Sequence, residues 1–421
     1  MSTFGRTVLA LVVAVTSLSA ISLQTREPGV IDNEIRIGNV MPYTGALSAF
    51  GAIGRAEAAY FEMINERGGI NGRKVRFISY DDNSDSSTAL DLTRGLVERD
   101  NVLLLFGSFG THGNLAVRKF LNEQQIPQLF VASGDEAWNN PTLFPWTMGW
   151  QPSFRAEGRM YANYIQAFYP GRKIVVLWEN DQFGRDLFKG LEEGLGELSR
   201  TIIVDVAYEI SDAYLDTHVS ILKRSGAEIF VFAGVPTNAA RVIRMAADLN
   251  WHPVFILNDM AASIGSALKP AGLENAQGVV SASFLKDVSD PAWKDDPLVR
   301  EWILFMDKYY PRGDKDDSAA LFGYAAAETL TQVLKQCGDD LSRENVMRQA
   351  AALKNYQPSF LLPGVAVSTG PLDFQPIKGT RLVQFDGRTW QPIGDVVESA
   401  FSDAGKILRP KENFTKQNLA K

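Results

Sequence analysis

The stretch LLLFGSFGTHGNLAVRKFL, residues 103 to 121, runs from apolar residues through glycines at 107, 110 and 113 into a helical pattern. A strand that feeds such a turn and then a helix aims unpaired backbone N–H groups, and the positive end of a helix dipole, at whatever lies above the turn. That chemistry suits an anion: a cofactor phosphate, a catalytic oxyanion or the carboxylate of a ligand that is only held. A dinucleotide-binding turn needs G-x-G-x-x-G, and Gly107, Gly110 and Gly113 have a different spacing with no Walker lysine after them. A hydrolase elbow reads G-x-S-x-G, but Phe106 stands two residues before Ser108. The histidines are His112, His218 and His252, and no His/Asp/Glu cluster has metal-ligand spacing. Neither a cofactor nor a metal is expected, and catalysis has little to work with.

Composition narrows the partner. The chain has 421 residues, 45% hydrophobic and 22% charged, which is ordinary globular composition and long enough for two domains. A net charge of -7 argues against nucleic acid or an anionic membrane surface, leaving a small molecule or a protein. The N-terminal run MSTFGRTVLALVVAVTSLSAISLQ has an early cation at Arg6, an apolar stretch from Val8 to Leu18 and small residues at Ser19 and Ala20. It reads as a secretory leader over residues 1–24, cleaved to release a protein outside the cytoplasm. Cys337 is the single cysteine, so it forms no internal disulfide and is expected as a small buried hydrophobe in a helix.

The elements that position the glycine loop follow a βαβ rhythm. IRIGNVM, KVRFISY, NVLLLFG and PQLFVAS alternate with helical stretches at 52–66, 85–98 and 113–124. A second round runs through KIVVLWEN, TIIVDVAYEI, EIFVFAG and PVFILND, with helices at 153–168, 183–197, 214–225 and 236–249. Each round predicts a doubly wound parallel sheet, so the fold class is α/β with two lobes. Helices at 298–309, 318–336 and 342–354 precede a β-rich segment, and residues 401–421 read as a polar tail.

IRIGNVMPYTGALSAFG, FEMINERGGINGRKVRFISYDDNSD and IPQLFVASG resemble the periplasmic solute-binding proteins of the branched-chain amino acid and amide class, which serve ABC importers. LFPWTMGWQPSF further resembles members that bind aromatic acids. The resemblance covers roughly residues 34 to 395. It implies two lobes joined by three crossing strands with the ligand between them. One lobe is expected at 34–151 plus 284–379, the other at 152–283 plus 380–400.

By position, the resemblance puts a carboxylate site on Phe109, Gly110 and Thr111 and on Ala132, Ser133 and Gly134. Both loops follow strands of one sheet and enter helices, which agrees with the anion reading. Gly107 and Gly113 read better as residues that permit tight turns. Thr111 and Ser133 serve either as ligand contacts or as helix caps. Phe50 and Phe183 match aromatic positions that wall the family's pocket from opposite lobes. Trp146 and Trp150 lie at the expected first crossing, as ligand contacts or hinge packing. His112 is either an anion donor or solvated. Asp259 matches, within one residue, the acid that holds an α-ammonium, and reads equally as a helix cap.

Departures from the pattern shape the ligand. A family tyrosine is replaced by Val235, and an expected aspartate is replaced around Phe154 and Arg155. Two partners for an ammonium are missing. The expectation is a monomeric receptor in the periplasm that captures an aromatic or similar apolar carboxylate and delivers it to a membrane permease and ATPase. A receptor for branched-chain amino acids or amides is the alternative in the same class. A secreted enzyme is the alternative from another class.

Overall fold

Alternating β-rich and helical runs set the element order in the computed structural model, which describes residues 28–31 and 33–398. The expected leader at 1–24 and the tail at 401–421 lie outside the described residues. The first round comprises β1 (Val30–Ile31), β2 (Glu34–Met41), α1 (Gly51–Glu66), β3 (Lys74–Asp81), α2 (Ser86–Glu98), β4 (Leu104–Phe106), α3 (Thr111–Glu123), β5 (Gln128–Val131) and β6 (Thr147–Gly149). The second comprises α4 (Phe154–Phe168), β7 (Ile174–Glu179), α5 (Gln182–Leu195), β8 (Ile202–Tyr208), α6 (Leu215–Arg224), β9 (Ile229–Ala233), α7 (Pro236–Asp248), β10 (Val254–Leu257), α8 (Lys269–Ala271) and β11 (Val280–Ser283). The chain then returns through α9 (Pro297–Tyr309), α10 (Ser318–Cys337) and α11 (Arg343–Ala350), and ends in β12 (Gly379–Phe385) and β13 (Trp390–Glu398).

Each round closes its own sheet. In the first, the parallel order is β3-β2-β4-β5-β6, with β1 added antiparallel beside β2. In the second it is β8-β7-β9-β10-β11, again parallel. Strand order therefore reverses between β2 and β4 and between β7 and β9. Loops at the carboxyl ends of strands diverge at such reversals and leave a crevice for ligand. The second sheet then departs from the all-parallel expectation, because β12 pairs antiparallel with β11 and β13 antiparallel with β12. The connection from Asp386 to Thr389 is too short for a parallel crossover and permits only a hairpin, with Gly387 at φ 100°.

Packing explains why the chain crosses back. Ile35, Ile37, Phe106 and Leu129 of the first sheet share one core with Phe322, Leu330, Val346 and Val367 from the returning segment. Helices α1 and α10 approach so closely that a Cβ on Gly323 would lie 2.4 Å from the Ile53 carbonyl oxygen. Cys337 is buried at the end of α10, as a free thiol. The second sheet has its own cores, around Phe230, Phe232 and Leu257 on one face and Ile174, Val176 and Val231 on the other. Asp85, Ser153, Asp181 and Asp317 each accept a backbone N–H at the start of α2, α4, α5 and α10, fixing where those helices begin. A π-helical turn at Ile264–Leu268 leads into α8, a feature the sequence pattern did not suggest. Among the described residues no helix is long and apolar enough to cross a membrane.

Candidate functional site

Loops at the carboxyl ends of strands from both sheets line a cleft of about 230 Å³. The first sheet contributes Phe50 after β2, Asp82 and Asp85 after β3, Phe109 to Gly113 after β4, and Ala132 and Ser133 after β5. The second contributes Phe154, the run from Glu179 to Asp181, Phe183, Glu209, Gly234, Val235 and Met260. Both lobes hold an aromatic pair against the cleft. Phe50 and Phe109 stack with ring centroids 4.0 Å apart at 17°. Phe154 and Phe183 meet edge to face at 4.7 Å. The four rings supply flat apolar walls of the kind that hold an aromatic or aliphatic body.

The glycine loop is the polar end of the first lobe's contribution. Gly110 is the residue before α3, with φ 91° and no side chain to cap the helix. The N–H groups of the first turn at Thr111, His112 and Gly113 therefore have no partner inside the helix. Thr111 does not cap α3, so that alternative for its hydroxyl falls away. Instead Thr111 Oγ1 and Ser133 Oγ share a hydrogen bond at 2.8 Å, and both residues are buried. Several other backbone donors nearby are spent: Gly110 N–H donates to the Ala132 carbonyl, Ala132 N–H to Ser108 and Ser133 N–H to Val131. The donors left on these two loops are the two hydroxyls and the helix start.

Gly107 adopts φ 66°, and a Cβ there would lie 1.9 Å from Glu57 Oε1, so its role is structural. Gly113 sits inside α3 rather than at a turn, beside Ala89 of α2.

Three expected site residues lie outside this lining. Trp150 is fully buried, meets the Phe322 ring edge to face at 4.9 Å and donates its indole N–H to Thr329 Oγ1 at 3.2 Å. It belongs to the first lobe's core. Gly134 belongs to a separate small cavity with Asp135 and Gln151. A Cβ on it would lie 2.2 Å from the Pro152 carbonyl oxygen, so glycine is needed for the crossing chain to pass. Asp259 faces side cavities with Ser263 and Ala282. Its N–H donates to Glu157 Oε1 at 2.7 Å, its Oδ1 accepts the Met260 N–H, and burial pushes both carboxyls up.

The sequence reading missed the acids. Glu179, Asp181 and Glu209 line the cleft from the second lobe, opposite Asp82 and Asp85. Their signal was position alone: Glu179 ends a strand of a doubly wound sheet, and Asp181 and Glu209 stand in the loops just after strands. Among the described residues no group of His, Cys, Asp and Glu is placed to hold a metal ion.

A family profile for periplasmic binding proteins matches residues 34–389. The chain belongs to that family. This periplasmic binding protein is 24% identical over 317 residues to an amino acid binding protein of Pseudomonas aeruginosa, covering 72% of the chain and 79% of the relative. It is 24% identical over 325 residues to a Leu/Ile/Val-binding protein homolog of Brucella abortus, covering 74% and 81%. Among solved structures, it resembles a branched-chain amino acid ABC transporter protein of Thermus thermophilus with bound valine, with TM-score 0.79 and 19% identity over 88% of this chain and 98% of the other. A fatty acid ABC transporter substrate-binding protein of Thermomonospora curvata gives TM-score 0.73 and 20% identity over 91% and 97%. The family is one of binding proteins, and the relatives it matches are binding proteins rather than enzymes.

Proposed function

We propose that this binding protein captures a small carboxylate with an aromatic or similar apolar body, in the periplasm and as a monomer, and passes it to a membrane permease and ATPase. The observation that carries the reading is the buried Thr111–Ser133 hydroxyl pair at the start of α3, which lines one cleft with the Phe50–Phe109 and Phe154–Phe183 ring pairs. Hydroxyls and helix-start N–H groups suit an anion. The rings suit its body.

A branched-chain amino acid is the second reading, favoured by the Thermus thermophilus relative with bound valine. Its α-ammonium would need an acid close to the carboxylate. Val235 and Phe154 stand in the lining there, and Asp259 is turned to Glu157 and Met260. A buried ammonium without partners costs several kcal/mol.

Calorimetry on ligand-stripped protein separates the two. Benzoate- or cinnamate-like acids should bind at least about tenfold tighter than leucine or phenylalanine, a gap of roughly 1.4 kcal/mol. Leucine or valine binding more tightly than every aromatic acid tried would replace the first reading with the second.

A further inference from the structure

Three contacts converge on one buried hydroxyl of the second lobe. The Tyr161 phenol oxygen, on α4, lies 2.6 Å from the Leu257 carbonyl oxygen at the end of β10 and 2.5 Å from Glu157 Oε1. It also accepts the Ala282 N–H of β11 at 3.1 Å. A phenol has one proton to donate. The Leu257 carbonyl can only accept, so that proton belongs to it. The contact with Glu157 then needs a second proton, which the carboxyl itself must bring.

The surroundings of Glu157 suit a neutral acid. The residue is buried on α4, and its Oε1 also accepts the Asp259 N–H at 2.7 Å. The groups that act on it are Tyr161 from its own helix and Asp259 from the loop after β10, with no cation among them. Burial first, and then the charge of Asp259, push the Glu157 carboxyl well above its usual range. Two buried carboxyls side by side do not readily ionise together. Tyr161 is pushed up by the same burial and keeps its own proton.

What this carboxyl holds reaches the cleft. The residues after Leu257 are Asn258, Asp259 and Met260. Asp259 Oδ1 accepts the Met260 N–H at 2.6 Å, and Met260 lines the cleft. The Met260 side chain packs against the core of the first lobe and against the Ile174–Val176 face of the second. Helix α4 therefore grips the loop that carries Met260 at two points, the Leu257 carbonyl through Tyr161 and the Asp259 N–H directly. Glu157 itself is not part of the cleft lining.

We propose that Glu157 is a positioning residue for the cleft: it stands as a neutral acid that donates its proton to the Tyr161 hydroxyl, and through Tyr161 and Asp259 it holds Met260 in the cleft wall. An ionised Glu157 has no proton for this contact, and the phenol would have to withdraw its own from the Leu257 carbonyl. Ionisation at high pH should therefore move Met260 without any ligand present.

Infrared difference spectroscopy in D2O between the wild-type protein and Glu157→Gln reads the proton directly. Near neutral pH the wild type should show a protonated-carboxyl C=O band that the variant lacks. Glu57 and Glu179 are also raised by burial, with Glu57 Oε1 and Glu179 Oε2 shut away from solvent, but they stand in both proteins and cancel. A carboxylate band lost in place of the acid band overturns the proposal, because Glu157 is then ionised and takes the phenol proton. The position of Met260 is read by NMR of methyl-13C methionine, with Met260→Leu to assign its signal. An amide keeps the shape and a donor, so Glu157→Gln should leave the Met260 signal in place at every pH, while the wild-type signal moves at high pH. Glu157→Ala should displace it throughout. A Met260 signal displaced as far by Glu157→Gln as by Glu157→Ala, or equal losses of stability for the two in urea unfolding, overturns the proposal as well.

Discussion

Thr111 Oγ1 and Ser133 Oγ lie 2.8 Å apart, so a single hydrogen bond ties the start of α3 to the loop after β5. Two hydroxyls carry two protons, and the bond between them uses one. Ser133 Oγ also accepts the Asp135 N–H at 3.3 Å, which leaves one hydroxyl proton free to donate elsewhere.

Thr111→Val keeps the shape and removes that donor system. A hydrogen bond to a charged group is worth about 1.5–3 kcal/mol, so affinity for a benzoate-like acid should fall by one to two orders of magnitude. Losing the Thr111–Ser133 bond itself should lower folding stability by about 1 kcal/mol or less. Calorimetry and urea unfolding read the two effects separately. Unchanged affinity would place the carboxylate elsewhere.

Gly107 carries the opposite balance, large for the fold. Alanine there would have to hold φ 66° and place a methyl 1.9 Å from Glu57 Oε1. Glu57 is fully buried and accepts from Asn39 Nδ2 at 3.2 Å, so it has little room to move. The left-handed conformation costs about 1–2 kcal/mol and overpacking typically about 1–3 kcal/mol more. Gly107→Ala should therefore lose at least about 2 kcal/mol in denaturant unfolding. A loss below about 0.5 kcal/mol would show that Glu57 yields freely.

The architecture was legible because periodicity survives without contacts. Strands of period two and helices of period 3.6 pointed to both doubly wound sheets, and the loops that follow strands of one sheet brought the glycine turn and Ser133 together. Which way a loop side chain turns was not legible. Trp150 and Phe154 flank the same crossing, yet Trp150 is claimed by Phe284 and Phe322 from a distant segment while Phe154 reaches the cleft. Gly134 and Asp259 lie outside that lining for the same reason, since Pro152 stands against the one and Glu157 accepts from the N–H of the other. The acids at 179, 181 and 209 carried no motif, and only the meeting of two lobes makes them one surface.

The ring pairs predict a mechanical response. Each lobe presents half of the walls, and a ligand favours the closed form only by touching both. Hinge closure around a ligand is the handling that this class of protein exemplifies. Small-angle scattering should show a smaller radius of gyration with a confirmed ligand than without it, and Phe183→Ala should weaken binding while leaving the ligand-free radius unchanged. An unchanged radius on saturation would count against a ligand held between the lobes.

Glu179 predicts a pH dependence of stability whose direction follows from its burial. Its carboxyl rises from 4.5 to about 8 because burial penalises the charged form first, with Asp181 and Glu209 adding to it. Between those values the folded protein keeps a proton that the unfolded chain has shed. The unfolded state then binds fewer protons, so stability falls as pH rises through that window and is highest below the unfolded value. Glu179→Gln has no such proton to lose. Asp181, Glu157 and Asp259 are raised as well, but they remain in both proteins and largely cancel in the comparison. The variant should therefore gain on the wild type as pH climbs from about 5 to about 8, by an amount on the order of 2–4 kcal/mol. Denaturant unfolding of both proteins across that range, without ligand, measures the difference. Parallel stability curves would mean that Glu179 ionises at its ordinary value, with water reaching the oxygen that the fold shuts away.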